Sequence, residues 1–293
     1  MEKSKVYYIK NITKENVVKA FTMLEKELPG KVAVKVHSGE KGNQNFLRPE
    51  FFKDIITYVN GTIVECNTAY AGDRNETQKH EYLMEEHGWK KYFDVDIMDA
   101  LDDMVLDIPN GKVIKKNYVG ANIKKYDSML VLSHFKGHPM GGYGGALKQL
   151  SIGCASSSGK AYIHSAGRTT DQYDLWGDLP TQEKFLESMA DASKSIVDYF
   201  KGNMAFINVM ANMSVDCDCC SVAEDPCMQD IGILSSLDPV ALDKACVDLI
   251  YSSNDKGASK LIERIESRKG IHTIDVSYEL GVGNIDYDLI IVE

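Results

Sequence analysis

Strand-like and helix-like segments alternate along almost the whole chain, and that alternation restricts the fold more than any other feature of the sequence. SKVYYIK alternates polar and apolar residues as a strand does, and TKENVVKAFTMLEKEL follows with helical spacing behind a capping Thr13. KVAVKV, TIVECNT, SMLVLS and MAFINVMANMSV read as further strands. RPEFFKDIITYVN, NETQKHEYLMEEHGW, TQEKFLESMADASKSIVDYFKG, LDPVALDKACVDLIYSS and GASKLIERIES read as helices. DMVLDIPNGKVIKKNYV predicts a hairpin turning at Asn110-Gly111. IDVSYEL and DLIIVE read as late strands. The pattern implies an α/β fold with a mostly parallel or mixed sheet flanked by helices, in one body or two lobes. No internal repeat or proline-rich linker interrupts it. Residues 1–293 are therefore read as one domain.

The formal charge of −10 argues against nucleic acid and anionic membrane surfaces, which need a basic footprint. No apolar run reaches the roughly 18 residues of a membrane span. The charged start MEKSKVYYIKN lacks a signal-peptide core, so a cytoplasmic location with reduced thiols is expected. The cysteines number seven, an odd count that argues against a disulfide framework.

Four of those seven fall in residues 216–227, DCDCCSVAEDPC. Cys217, Cys219 and Cys220 lie too close in sequence to pair without strain. Thiolates grouped this way select iron–sulfur clusters, zinc or copper(I), and a C-x-x-C grips one metal from one turn. The acidic flanks suit a cation. They would also raise the thiol pKa values, which disfavours a reactive thiolate.

The segment SHFKGHPMGGYGGALK leaves the C-terminal end of an apolar strand, where open α/β sheets bind ligands. Gly142, Gly144 and Gly145 free the backbone to approach a cofactor, and Arg74 from a neighbouring strand end adds charge. His138 is a candidate acid/base and Lys148 a candidate anion holder or catalytic group. His134, Lys136, Cys154, Lys160 and His164 belong to the same segment or the loop after it. Lys35, His37, Glu40, Lys41 and Arg48 follow another strand, with His37 a further catalytic candidate. Successive strand ends of a parallel sheet share one edge, so these loops could converge. The expected site lies between the loops of 133–165 and the cysteine loop 216–227. Residues 167–180 form the longest irregular stretch and could cover it. His80, His87 and His272 are read as surface residues, and Cys66 and Cys246 as core.

Taken together, KVHSGEKGN, NTAYAGDRNET, LSHFKGHPMGGYGGALKQLSIGCASSSGK, DCDCC, DIGILSSLDPVALDKA and SYELGVGNIDYDLI resemble the family named domain of unknown function 362. The resemblance runs from about residue 31 to the C-terminus. It implies an iron–sulfur protein, with Cys217, Cys219, Cys220, Cys227 and Cys154 as candidate ligands to a 4Fe-4S cluster or another thiolate-bound metal, Cys227 carrying less weight because it lies outside DCDCC. Many members carry a ferredoxin insert. This chain has no cysteine between Lys160 and Thr181, so the insert is absent.

The central loop is also similar to that of lactate racemase-like enzymes, which use a nickel pincer nucleotide. His138 precedes Lys148 by ten residues, and His164 follows Lys148 by sixteen. That likeness implies Lys148 contacting an anionic nucleotide cofactor, His164 ligating metal and His138 as acid/base. Three readings stay open: a redox or Lewis-acid enzyme on a small anionic substrate, a pincer-type racemase or epimerase, and a non-catalytic metal-binding module. The implied partners are a small-molecule substrate or an electron-transfer partner.

Overall fold

The structure is a computed structural model that describes residues 2–293. In chain order its elements begin with β1 (Ser4–Ile9), α1 (Lys14–Thr22), β2 (Val32–Lys35), α2 (Pro49–Tyr58), β3 (Gly61–Glu65), α3 (Thr77–Glu86) and β4 (Val95–Ile97). A ribbon of β5 (Asp103–Asp107) and β6 (Lys116–Gly120) comes next, then β7 (Ser128–His134), β8 (Lys136–His138), β9 (Gly142–Gly144), α4 (Ala146–Lys148), α5 (Ser157–His164) and α6 (Gln182–Phe200). The chain continues through β10 (Met204–Met210), β11 (Gly232–Ser236), α7 (Pro239–Tyr251), α8 (Ala258–Ser267), α9 (Ile271–Glu279) and β12 (Tyr287–Ile291). Among the described residues, no helix is long and apolar enough to cross a membrane.

Eight strands form one sheet in the order β12-β1-β11-β10-β7-β2-β3-β4. Strand β11 runs against its two neighbours, and the other neighbouring pairs are parallel. From β2 the chain winds outward to β3 and β4. It then returns to lay β7 and β10 on the other side of β2. The strand order therefore reverses between β2 and β7, where an open α/β sheet leaves a crevice beyond its strand ends.

The central strands are mostly apolar because both faces are covered. In β7, Met129 and Val131 join the cluster that includes α7, while Leu130 and Leu132 join the cluster under α1 and α2. Successive side chains point to opposite faces, so one continuous run supplies both cores. Thr13 caps α1, its Oγ1 accepting the Asn16 N–H at 3.2 Å.

One expectation needs correction. Residues 274–280 are not a strand but belong largely to α9, which packs on α6. IDVSYEL fits either period, and Thr273, Ile274, Val276 and Ser277 are buried at helical spacing once α6 offers a groove. The hairpin expected around Asn110-Gly111 is present: β5 and β6 pair antiparallel, and the Gly111 N–H closes a turn onto the Ile108 carbonyl at 3.0 Å. The β5–β6 connection runs over 108–115, and Asp191 from α6 holds it by accepting the N–H groups of Lys112, Val113 and Ile114.

Candidate functional site

The loops after β2, β3, β7 and β10 meet at the crevice between β2 and β7. They enclose a cavity of ≈ 120 Å³ whose walls include Lys35, His37, Arg74, His138, Lys148 and His164. Leu175 and Trp176 from the irregular stretch 167–180 close one side. Lys41 and Arg48 follow β2 but stay exposed, and Arg48 stacks on Phe46 instead. Between α4 and α5 the chain makes a π-helical turn, Gln149–Gly153, whose Gln149, Ile152 and Gly153 face the cavity. Such bulges recur at functional sites because they re-aim side chains within a helix.

The cysteine loop arrives at the end of β10. Cys217 Sγ, Cys219 Sγ and a ring nitrogen of His138 lie within 4.8 Å of one another, a group that could hold a metal. Lys148 Nζ stands 3.6 Å from Cys217 Sγ, and the Cys219 N–H points at the same sulfur at 3.4 Å. Burial pushes the Cys217 thiol up. The Cys219 thiol hydrogen bond and the charges of Lys148, His138 and Lys136 outweigh it and hold Cys217 well below the usual thiol range. Cys219, which keeps its proton against that sulfur, is pushed well up.

The acidic flanks do not act as their positions in sequence suggest. Asp218 turns inward, with Oδ2 2.6 Å from Lys136 Nζ and 2.9 Å from His134 Nδ1. Asp216 turns outward to Arg264 at 3.3 Å and accepts the Glu224 N–H. Both carboxylates are paired with cations, so Cys217 and Cys219 see Lys148 instead, while Cys220 still feels Asp216. Cys227 is remote, its thiol facing the Met213 carbonyl. Cys154 lies in the apolar core outside the metal-competent group, and burial raises its pKa to about 11. Cys246 is buried as expected, and Cys66 is buried at the cavity wall.

Hydrogen bonds fix the histidine tautomers. His138 Nδ1 accepts N–H groups from Met140 at 3.1 Å and Gly141 at 2.9 Å. Its proton therefore sits on Nε2, 3.8 Å from Cys219 Sγ, and that nitrogen is a donor rather than a free ligand. His37 is set the same way by the Gly39 N–H at 3.1 Å. His164 is the reverse. Its Nδ1–H donates to the Lys160 carbonyl at 2.7 Å, leaving a lone pair on Nε2. Burial lowers the pKa of His138 and of His164 to about 4, and pushes His37 well below its usual range. His134 faces acceptors at both nitrogens, Asp218 and the Ala211 carbonyl.

His80 and His87 are not surface residues. His80 is fully buried with Nδ1 3.3 Å from Asn67 Oδ1, and half-buried His87 stacks on Phe46 and donates to the Ser38 carbonyl.

The glycines serve mostly to let protein pack on protein. Gly142 has φ +81°, and a Cβ there would meet the Gly270 Cα at 2.9 Å. A Cβ on Gly145 would strike Asp243 Oδ1 at 2.4 Å. That carboxylate accepts the N–H groups of Ala146 and Leu147 and the Asn208 amide, and so anchors the helix carrying Lys148. Gly144 and Gly145 still border the cavity.

Most cavity cations have an acid partner. Lys35 reaches Glu65 at 2.6 Å, Arg74 reaches Glu40 at 3.1 Å and the Tyr70 hydroxyl, and Lys136 reaches Asp218. Among the described residues, Lys148 and Lys160 have none within 4 Å. Glu65, Tyr70 and Asp243 were missed by sequence reasoning. A lone carboxylate inside the apolar strand TIVE is the one signal that marked Glu65.

The group fits a single thiolate-bound ion. Ligand atoms on a tetrahedral ion at about 2.3 Å stand roughly 3.8 Å apart, within the spread found here. A four-iron cluster spreads its terminal thiolates across its own edges and needs a wider ring of sulfur. Cys217 and Cys219 supply two thiols, with half-exposed Cys220 next in sequence.

Among solved structures the chain is similar to the lactate racemase apoprotein from Thermoanaerobacterium thermosaccharolyticum, at 16% identity and a TM-score of 0.40 over 69% of this chain and 50% of that one. It is also similar to a protein from Thermotoga maritima, at 10% identity and a TM-score of 0.44 over 93% of this chain and 61% of that one. The chain thus spans half the length of the first and less than two thirds of the second. No curated protein matches it. The family model described as Domain of unknown function (DUF362) matches residues 32–248, well over half of the sequence. The chain belongs to the DUF362 family.

Proposed function

We propose that the chain is a metal-dependent enzyme acting on a small anionic substrate in the crevice between β2 and β7. The observation that carries this reading is the close pair of Cys217 and Cys219 sulfurs with the His138 donor and Lys148 beside them, Lys148 being an ammonium lacking a carboxylate partner among the described residues. Cys217 and Cys219 would hold the ion, with Cys220 the nearest further thiol. His138 stays outside the ligand set because its Nε2 carries the proton, and it steadies the thiolates by donating. When bound, the ion supplies a Lewis acid that polarises a substrate oxygen.

The chain's own residues do the rest. Three cavity cations are cancelled by Glu65, Glu40 and Asp218. The Lys148 ammonium faces the Cys217 sulfur instead of a carboxylate, so an anionic substrate group is drawn there once that sulfur holds the ion. His138 and His37 present N–H donors, and His164 presents a lone pair that can accept a proton at Nε2. Both buried imidazoles at about 4 are neutral near pH 7, so these roles hold there. Leu175 and Trp176 limit water on that side.

Metal and acid-labile sulfide analysis of protein purified without oxygen tests the reading. One ion per chain without sulfide is expected, and Cys217→Ser should lower the retained metal at least tenfold while Cys246→Ala keeps it. Stoichiometric sulfide would replace the single ion with a cluster. Equal metal in both variants would overturn the ligand assignment.

A further inference from the structure

We propose that Lys160 is a covalent attachment point for a carbonyl substrate, its side-chain amine lying buried on the cavity wall with two backbone carbonyls, and no acid among the described residues, as partners. Lys160 Nζ donates to the Ala155 carbonyl at 2.5 Å and faces the Cys66 carbonyl at 3.5 Å. A neutral amine has two N–H bonds, and these two acceptors take both. The nitrogen lone pair then remains for the cavity that Lys160 lines. An ammonium there would carry a third N–H and a charge with no acid within 4 Å among the described residues, which is costly in a buried position. Lys35 and Lys136 are equally buried but each reaches a carboxylate at 2.6 Å.

The surroundings push the same way. Burial lowers the Lys160 pKa and nearby Lys35 adds to it, against the opposing influence of Cys66 and Asp99. Lys148, in the same cavity, stands 3.6 Å from the Cys217 sulfur instead of between carbonyls. The two lysines thus divide the labour of one ligand. Lys148 stays a cation for an anionic group, and Lys160 becomes an amine for a carbonyl carbon. Placement is firm, because Ser156 Oγ caps α5 by accepting the Gly159 N–H at 3.1 Å.

The substrate class that matches both groups is a 2-oxo acid, and this refinement rests on the anionic-substrate reading above. The Nζ lone pair adds to the carbonyl carbon and the C=O π pair moves to oxygen. The carbinolamine then loses that oxygen as water with both former amine hydrogens, leaving a C=N bond. No oxidant or reductant is needed.

The test is reductive trapping. The full chain is incubated with pyruvate or glyoxylate and sodium cyanoborohydride, then peptide-mapped by mass spectrometry. A reduced adduct concentrated on Lys160 is expected, absent from Lys160→Met, which keeps the reach of the side chain without a charge and has no amine to form the imine. Trapping on Cys217→Ser separates the two proposals: an adduct without metal leaves Lys160 standing whatever becomes of the metal site. No adduct with either acid, or label spread evenly over exposed lysines, would overturn the inference. The wild-type map decides it even if the variant misfolds.

Discussion

Asp218→Asn is expected to destabilise the chain by about 3–5 kcal/mol, the range for breaking a buried ion pair by removing one partner. Asp218 is almost wholly buried, and its carboxylate serves Lys136 and His134 together. The amide keeps the shape but leaves the Lys136 ammonium buried without a counter-charge. Urea unfolding would show the loss, and a change under about 1 kcal/mol would mean that water reaches Lys136. Replacing both partners, as Asp218→Leu with Lys136→Met, should recover much of the loss because no charge is then stranded.

The pH dependence follows the same pair. Burial alone would raise the Asp218 pKa, but His134 and Lys136 hold it well below the usual carboxylate range. A depressed folded pKa contributes stability that is present above the unfolded value near 3.9 and is lost as pH falls below it. Glu65, held down by Lys35 against its burial, adds to the same acid limb. Asp243 acts oppositely: burial raises it to about 6, so its contribution improves as pH falls from 6 toward 4. Asp218→Asn should therefore flatten the stability profile below about pH 4, and an unchanged acid limb would contradict the pairing.

Gly159→Ala is expected to cost about 3 kcal/mol, at the upper end for overpacking a tight contact. A Cβ at Gly159 would sit 1.9 Å from the Tyr118 carbonyl oxygen, which also accepts the Ser156 N–H at 3.0 Å. Helix α5 and strand β6 would have to part. Lys160 and His164 ride on α5, so both should leave their places in the cavity. A thermal melt measures the first effect, and weaker trapping at Lys160 measures the second. A melting temperature within a degree of wild type would show that β6 yields freely.

The alternation of segments was legible because central strands covered on both faces must be largely apolar, as 129–132 is. Convergence of the loops after β2, β3 and β7 also followed from parallel strands sharing an edge. The strand reading of 274–280 failed because a short alternating stretch satisfies two periods, and only contact with α6 decides between them. The chemistry of the cysteine loop was misjudged for a different reason. Counting acids near Cys217 ignores direction, and Asp216 and Asp218 both turn to cations away from the sulfur. Histidine tautomers were out of reach, since the backbone amides of Met140, Gly141 and Gly39 set them through loop geometry. Lys160 looked like one lysine among several until its neighbours proved to be carbonyls rather than acids.

The family match ends at residue 248, yet the site leans on helices α8 and α9 beyond that point. Arg264 on α8 donates to the Val215 carbonyl at 2.7 Å and reaches Asp216, clamping the root of the cysteine loop. Gly270, at the turn into α9, lies flat against Gly142 and sets how far the segment leading to Lys148 can move. These two C-terminal helices thus work as a splint, standing outside the cavity walls while fixing the spacing of the two loops that form them. Substitutions at Arg264 or Gly270 should therefore change metal affinity and anion affinity together, coupling two walls that share no direct covalent path.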